Sequence, residues 1–213
     1  MVTGRTRWRR FGAVMLLSVG ASTGLVLMVA HGAIAASFSV SGQEFKITAD
    51  KLVATGFVQY GAVDRTPIVG SPTPKFQPVP VAVSAMKTAE ITNLCQSVFT
   101  DLGLFSVTLQ IHAGKGDTTE QHVTAENMVV DMTVLNGNAD FKNMQIGRDA
   151  STLDLGPTND PSELAQRRQG TFSQQATDVT ITNLQQTARA TSAGDFNLKG
   201  LHLSLISGKD ECF

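Results

Sequence analysis

The sequence spells one literal catalytic signature. Gly20-Ala21-Ser22-Thr23-Gly24 satisfies the G-x-S-x-G pattern of a serine nucleophile elbow. An elbow needs a strand before the serine, a helix after it, and acid and histidine partners later in a large α/β sheet. Here the five residues fall inside an uncharged apolar run, Phe11 to Ala30, which offers none of that context. The same residues satisfy G-x-x-x-G, a helix-packing pattern of membrane spans. That pattern acts only if the run is retained.

Beyond residues 1–35 there are three histidines: His112, His122 and His202. His122 has Glu120 and Glu126 nearby, a grouping that would serve an acid-base pair or a metal if strand alternation put two of them on one face. No tight ligand spacing recurs, and Asp149, Asp154, Asp160 and Glu163 lack the register of a calcium loop. No glycine-rich phosphate loop and no zinc motif is present. The sequence therefore calls for no cofactor and no metal, and it assigns no catalytic residue.

Charge and aromatic content narrow the partners. Arg5, Arg7, Arg9 and Arg10 precede the apolar run with no acid among residues 1–35, which leaves 13 bases against 18 acids in the rest. An acidic domain is a poor nucleic-acid partner. Its only tyrosine is Tyr60, and Trp8 lies before the run, so it offers no stacking platform for sugars or bases.

The basic flank, the apolar run and the small-x-small pattern Ala33-Ile34-Ala35 predict a secretory signal peptide over residues 1–35, cut after Ala35. The run is also long enough to stay as an N-terminal membrane anchor. Either way the remainder is extracytoplasmic. In that compartment an even cysteine count reads as a disulfide, here Cys95 to Cys212, the only two cysteines. Closing so long a loop removes on the order of 4 to 5 kcal/mol of unfolded-state entropy in the chain model.

The elements that must position these side chains read as strands. Phe38 and Val40, then Phe45, Ile47 and Ala49, alternate with polar neighbours. So do Phe105 to Ile111, Met128 to Val134, Val179 to Ile181 and Leu201 to Leu205. Residues 62–80 hold five of the seven prolines and predict an irregular excursion. Asp160, Pro161 and Glu163 spell an N-cap, an N1 proline and a capping acid, so a short helix is expected through Arg168.

The expected fold is all-β: a rolled or stacked antiparallel sheet (sandwich, open barrel or solenoid-like) over residues 36–213, with one short helix in a long loop. Short echoes suggest stacked strand units. Ile91-Thr92-Asn93-Leu94 matches Ile181-Thr182-Asn183-Leu184, Ile47 to Val53 matches Val123 to Val129, and Asp140-Phe141-Lys142-Asn143 matches Asp195-Phe196-Asn197-Leu198. The inner face would carry Met128, Met132, Met144, Leu201, Leu203 and Leu205. That is a lining able to hold lipid chains, or else an ordinary dry core.

The segments Ala36 to Gln43, Ala49 to Leu52 and Gly56 to Gly61, together with Ile91 to Ser97, Phe172 to Ala190, Gly200 to Leu203 and Glu211-Cys212-Phe213, carry a resemblance. The chain resembles an uncharacterised actinobacterial family of small exported proteins over nearly its whole length. Members often bear the label cholesterol esterase, and the resemblance implies genes beside a small multi-pass membrane protein. Both cysteines match, which strengthens the disulfide. No catalytic residue carries over, and the elbow exists only in the leader.

The expected function is a non-catalytic cell-envelope domain binding a lipid or a small multi-pass membrane protein. Two alternatives stand beside it. One is a lipid or sterol ester hydrolase, with a serine and one of His112, His122 or His202 assembled across strands; the other is a structural surface component.

Overall fold

The computed structural model describes residues 43–67, 76–103, 105–116, 118–157 and 169–213. The leader, with Ala33 and Ala35, and the helix expected between Asp160 and Arg168 lie outside those residues.

Nine strands among the described residues form one antiparallel sheet: β1 (Phe45–Pro67), β2 (Phe76–Thr92), β3 (Leu94–Asp101), β4 (Ser106–Ala113), β5 (Val123–Lys142), β6 (Gln145–Asp149), β7 (Phe172–Ser192), β8 (Asp195–Asn197) and β9 (His202–Ser207). Four of them close on themselves. β1 pairs with β2, β2 with β5, β5 with β7 and β7 again with β1. A sheet rolled this way leaves no free edge within the circuit. Its interior is the core, built from Leu52, Phe57, Met86, Ile91, Leu94, Val123, Met128, Met132, Val179, Ile181 and Leu184.

The prolines predicted to break the sheet do so only in part. Pro78 and Pro80 lie within β2, opposite Arg65 and Val63 of β1. The β2–β5 ladder begins at Ala82, past both prolines. There the missing N–H groups cost no rung on that side.

Strands of 20 residues and more have to bend, and the sequence bends them with asparagine. Asn93, Asn127, Asn143 and Asn183 all have left-handed backbone, φ between 50° and 53°, and Gly56 matches them at 61°. Asparagine tolerates this region better than other residues bearing a Cβ. Asn93, Asn127 and Asn183 switch which side chains point inward: Ile91 to Leu94, Ala125 to Met128 and Ile181 to Leu184 are consecutive buried positions three apart. Gly56 allows no substitute, because a Cβ there would sit 2.7 Å from the Leu155 carbonyl.

The echo between Ile91–Leu94 and Ile181–Leu184 is therefore a recurring corner, whereas Ile47–Val53 and Asp195–Leu198 hold no left-handed residue. An apolar residue, a polar one, a left-handed asparagine and a second apolar residue turn the strand while keeping it in the sheet. The β1 ladder keeps one register across such a corner, from Lys46 opposite Ser97 to Pro67 opposite Phe76, with its rungs interrupted between Thr48 and Lys51. Asn93 donates from Nδ2 to Asp50 Oδ2 at 3.0 Å across that break.

Arg189, with its side chain only 8% exposed, ties the two ends of β1 together. It pairs with Glu44 at 3.3 Å beside the start and with Asp64 at 3.8 Å near the end, and it donates to the Thr66 hydroxyl. Nearby, burial and then the Asp64 charge hold the Asp131 carboxyl above its ordinary range.

Candidate binding surface

Outside the closed circuit, β3 leaves β1, turns through Leu102 to Phe105 into β4, and β4 pairs with β9. These three strands make a blade whose two faces differ. Alternation puts Ser97, Thr108 and Gln110 on one face, and Val98, Leu109, Ile111, Leu203 and Leu205 on the other.

The polar face is the covered one. The segment Gly208–Phe213 lies across it, and its backbone is satisfied by the blade. Thr108 Oγ1 donates to the Gly208 carbonyl at 2.8 Å and accepts from Asp210 N at 3.0 Å. Gln110 Nε2 donates to the Asp210 carbonyl at 2.7 Å, and Ser97 Oγ accepts from Cys212 N at 2.9 Å. Ser97 and Thr108 are 0% exposed, and hydroxyls buried so deeply require partners of this kind.

Cys95 and Cys212 form the disulfide that fixes this segment, 117 residues apart in sequence. Lys46 donates to the Phe213 carbonyl at 2.7 Å and pairs with Glu211 at 3.2 Å, while Lys209 reaches Glu211 at 3.1 Å. Burial would raise the Glu211 carboxyl, but hydrogen bonds from Lys209 and Lys46 and their charges outweigh it and hold it below the ordinary glutamate range.

The apolar face carries no charged residue; its Leu94 and Ala113 end is buried in the core, and toward β9 it is exposed. Leu203 is 57% exposed and Leu205 67%, with Leu201 at 52% where the chain enters β9. Val98, Val107, Leu109 and Ile111 beside them are half-buried. β9 lies at the end of the sheet's strand order, and its six residues include no charge, proline or glycine. Such residues are what ordinarily blunt an edge. β6, at the other end, is five residues long and carries Gly147, Arg148 and an irregular register.

The six residues expected to line one apolar face are divided between two places. Met128 and Met132 are buried in the circuit and Met144 packs against that core, whereas Leu201, Leu203 and Leu205 sit on the blade's outer surface. Two voids of about 30 Å³ each adjoin Met128, Val130, Leu184 and Gln186. Each holds about one water molecule, and an acyl chain needs far more.

Beside β8 an open groove of about 810 Å³ is lined by Thr55, Glu90, Glu126, Asp195 and Phe196 among others. His122 is at its border. It donates from Nδ1 to Glu90 at 2.5 Å and faces the Gly116 carbonyl through Nε2 at 3.2 Å. Both partners are acceptors, so both bonds form only when the ring carries both protons. This contact pins the loop after β4 onto β2.

His112 Nε2 lies 3.3 Å from Gln110 Oε1 and 3.9 Å from Cys95 Sγ, and His202 stands opposite it in the ladder. His112 and His202 are thus neighbours across the ladder, and His122 contacts neither. Among the described residues no histidine hydrogen-bonds a serine hydroxyl, and no three His, Cys, Asp or Glu side chains converge as a metal site. No helix among them is long and apolar enough to cross a membrane.

A family model matches residues 41–213, which takes in every strand described above. The chain belongs to DUF6230, a family of unknown function. No curated protein and no solved structure matches it. The match spans both cysteines and the whole blade, so these features fall within the family's domain.

Proposed function

We propose that this DUF6230 chain is a non-catalytic, extracytoplasmic domain of the cell envelope, delivered by its N-terminal leader, that binds a lipid or a membrane-protein partner. The single observation that carries the reading is the bare apolar face of the blade, where Leu203 and Leu205 are mostly exposed with no charge around them. Contiguous apolar surface of this kind marks interaction sites on soluble domains. Interior voids of about 30 Å³ are too small for an acyl chain, which supports a surface rather than an interior site.

Cell fractionation tests it. The full chain is expected in the membrane or envelope fraction, and Leu203→Ser with Leu205→Ser should release it or its partner. Unchanged fractionation would count against the reading. So would turnover of short-chain or cholesteryl esters that disappears when His112, His122 or His202 is replaced.

A structural surface component is the second reading, and the unblunted β9 edge favours it. Concentration-dependent assembly through β9, with no lipid or membrane protein retained, would select it.

A further inference from the structure

The turn between β3 and β4 breaks the usual rule that such tips are polar. It reads Leu102-Gly103-Leu104-Phe105, with Phe105 60% exposed and Leu102 37%. The turn is held in shape: Leu102 N donates to the Phe105 carbonyl at 3.0 Å, and Gly103 N donates to Asp101 Oδ1 at 2.8 Å. Gly103 has a φ of 84°, and nothing stands within 4 Å of where its Cβ would be. Leu102 and Phe105 are therefore presented to solvent.

This tip continues the apolar face. Val107 follows it on β4, and Leu109 pairs with Leu205 on β9. The chain also arrives at this end of the blade. Lys46 pairs with Ser97, and extending that register sets Phe45 beside Val98 and Glu44 beside Phe99. Outside the described residues, the uncharged run Phe11 to Ala30 ends 12 residues before Gln43. Twelve residues span at most roughly 40 Å.

We infer that Leu102 and Phe105 at this tip, with the adjoining Leu203 and Leu205, insert into the interfacial layer of a lipid bilayer. The inference rests on the proposed function and names its partner. A lipid surface fits better than a second copy of the chain. Pairing two β9 edges would leave both tips and the leucine faces bare, and stacking two faces would leave the projecting tips in water. A fluid apolar layer covers tip and face together, as it does for other surface-seated apolar elements.

The test places a reporter at the tip. In the full chain carrying Trp8→Phe and Phe105→Trp, the indole reports position 105 alone, because Trp8 is the only native tryptophan. Vesicles of phosphatidylglycerol and phosphatidylethanolamine with brominated acyl chains should shift its emission to the blue and quench it. Adding Leu203→Ser and Leu205→Ser should weaken vesicle partitioning by at least about tenfold, from the apolar area withdrawn.

An indole that stays unshifted while the protein sediments with vesicles would overturn the inference. A blue shift that follows protein concentration without lipid would overturn it in favour of a second copy. An indole silent to lipid, in a chain whose leucine variant still loses a membrane-protein partner, would reject bilayer insertion and leave the proposed function standing. Histidine-dependent ester turnover would reject the non-catalytic reading whatever the indole does.

Discussion

The two faces of the β3-β4-β9 blade carry the reverse of the usual arrangement. On one face Ser97 and Thr108 are buried and Gln110 half-buried, while on the other Leu109 is half-buried and Leu203 and Leu205 are exposed. The polar face can be buried because Gly208–Phe213 supplies a hydrogen-bond partner for each hydroxyl and a disulfide to hold it there. No comparable segment among the described residues serves the other face. The contrast teaches that burial follows which surface has been given a cover, and hydropathy alone does not decide it.

Removing the cover should have the largest effect. Cys95→Ser is expected to lower unfolding free energy by about 4 kcal/mol, near the chain-entropy figure for so long a loop. Thermal denaturation followed by circular dichroism measures it, and strand content at low temperature should be retained. A loss under about 1 kcal/mol would mean that the hydrogen bonds hold the segment without the disulfide.

Acid should loosen the same face more gently. Glu211 is held below its ordinary pKa in the folded chain, so its contribution is complete above the unfolded pKa and is lost as pH falls through the folded one. Melting temperature should therefore decline below about pH 4. Glu211→Gln should be less stable at neutral pH and flatter in acid. Asp131, raised by burial and by Asp64, works with the opposite sign, since its protonation on acidification favours the folded state.

The smallest effect belongs to the open face. Leu203→Ser with Leu205→Ser should change unfolding free energy by roughly 0.5 kcal/mol or less, as exposed positions do. A loss of 2 kcal/mol in the lipid-free protein would show that this face is covered by the chain itself and would erase the contrast.

Much of this was legible in the sequence, and the gaps have physical causes. Alternation alone indicated an all-β chain, and compartment with parity paired Cys95 and Cys212. Leu201, Leu203 and Leu205 were recognised as one face. Their outward position was hidden, because alternation reports that two faces differ and is silent on which one meets a cover.

The asparagine echoes were visible, but a left-handed φ is a backbone property that Ile-Thr-Asn-Leu does not announce. Arg189 gave no signal at all. Its partners Glu44, Asp64 and Thr66 come together only when the sheet closes. Pro78 and Pro80 argued against a strand that exists, because they sit before the rungs to β5 begin.

The four-strand circuit also dictates an order of events as the chain is made. β1 and β2 are near neighbours in sequence and can zip together early, yet β1 finds its second partner only in residues 173–188. Until those residues arrive, a 23-residue strand waits with one side unclaimed. The closing step joins segments more than 100 residues apart, the kind of distant pairing that slows β proteins. An interruption before Phe172 would strand the nascent chain in its stickiest form.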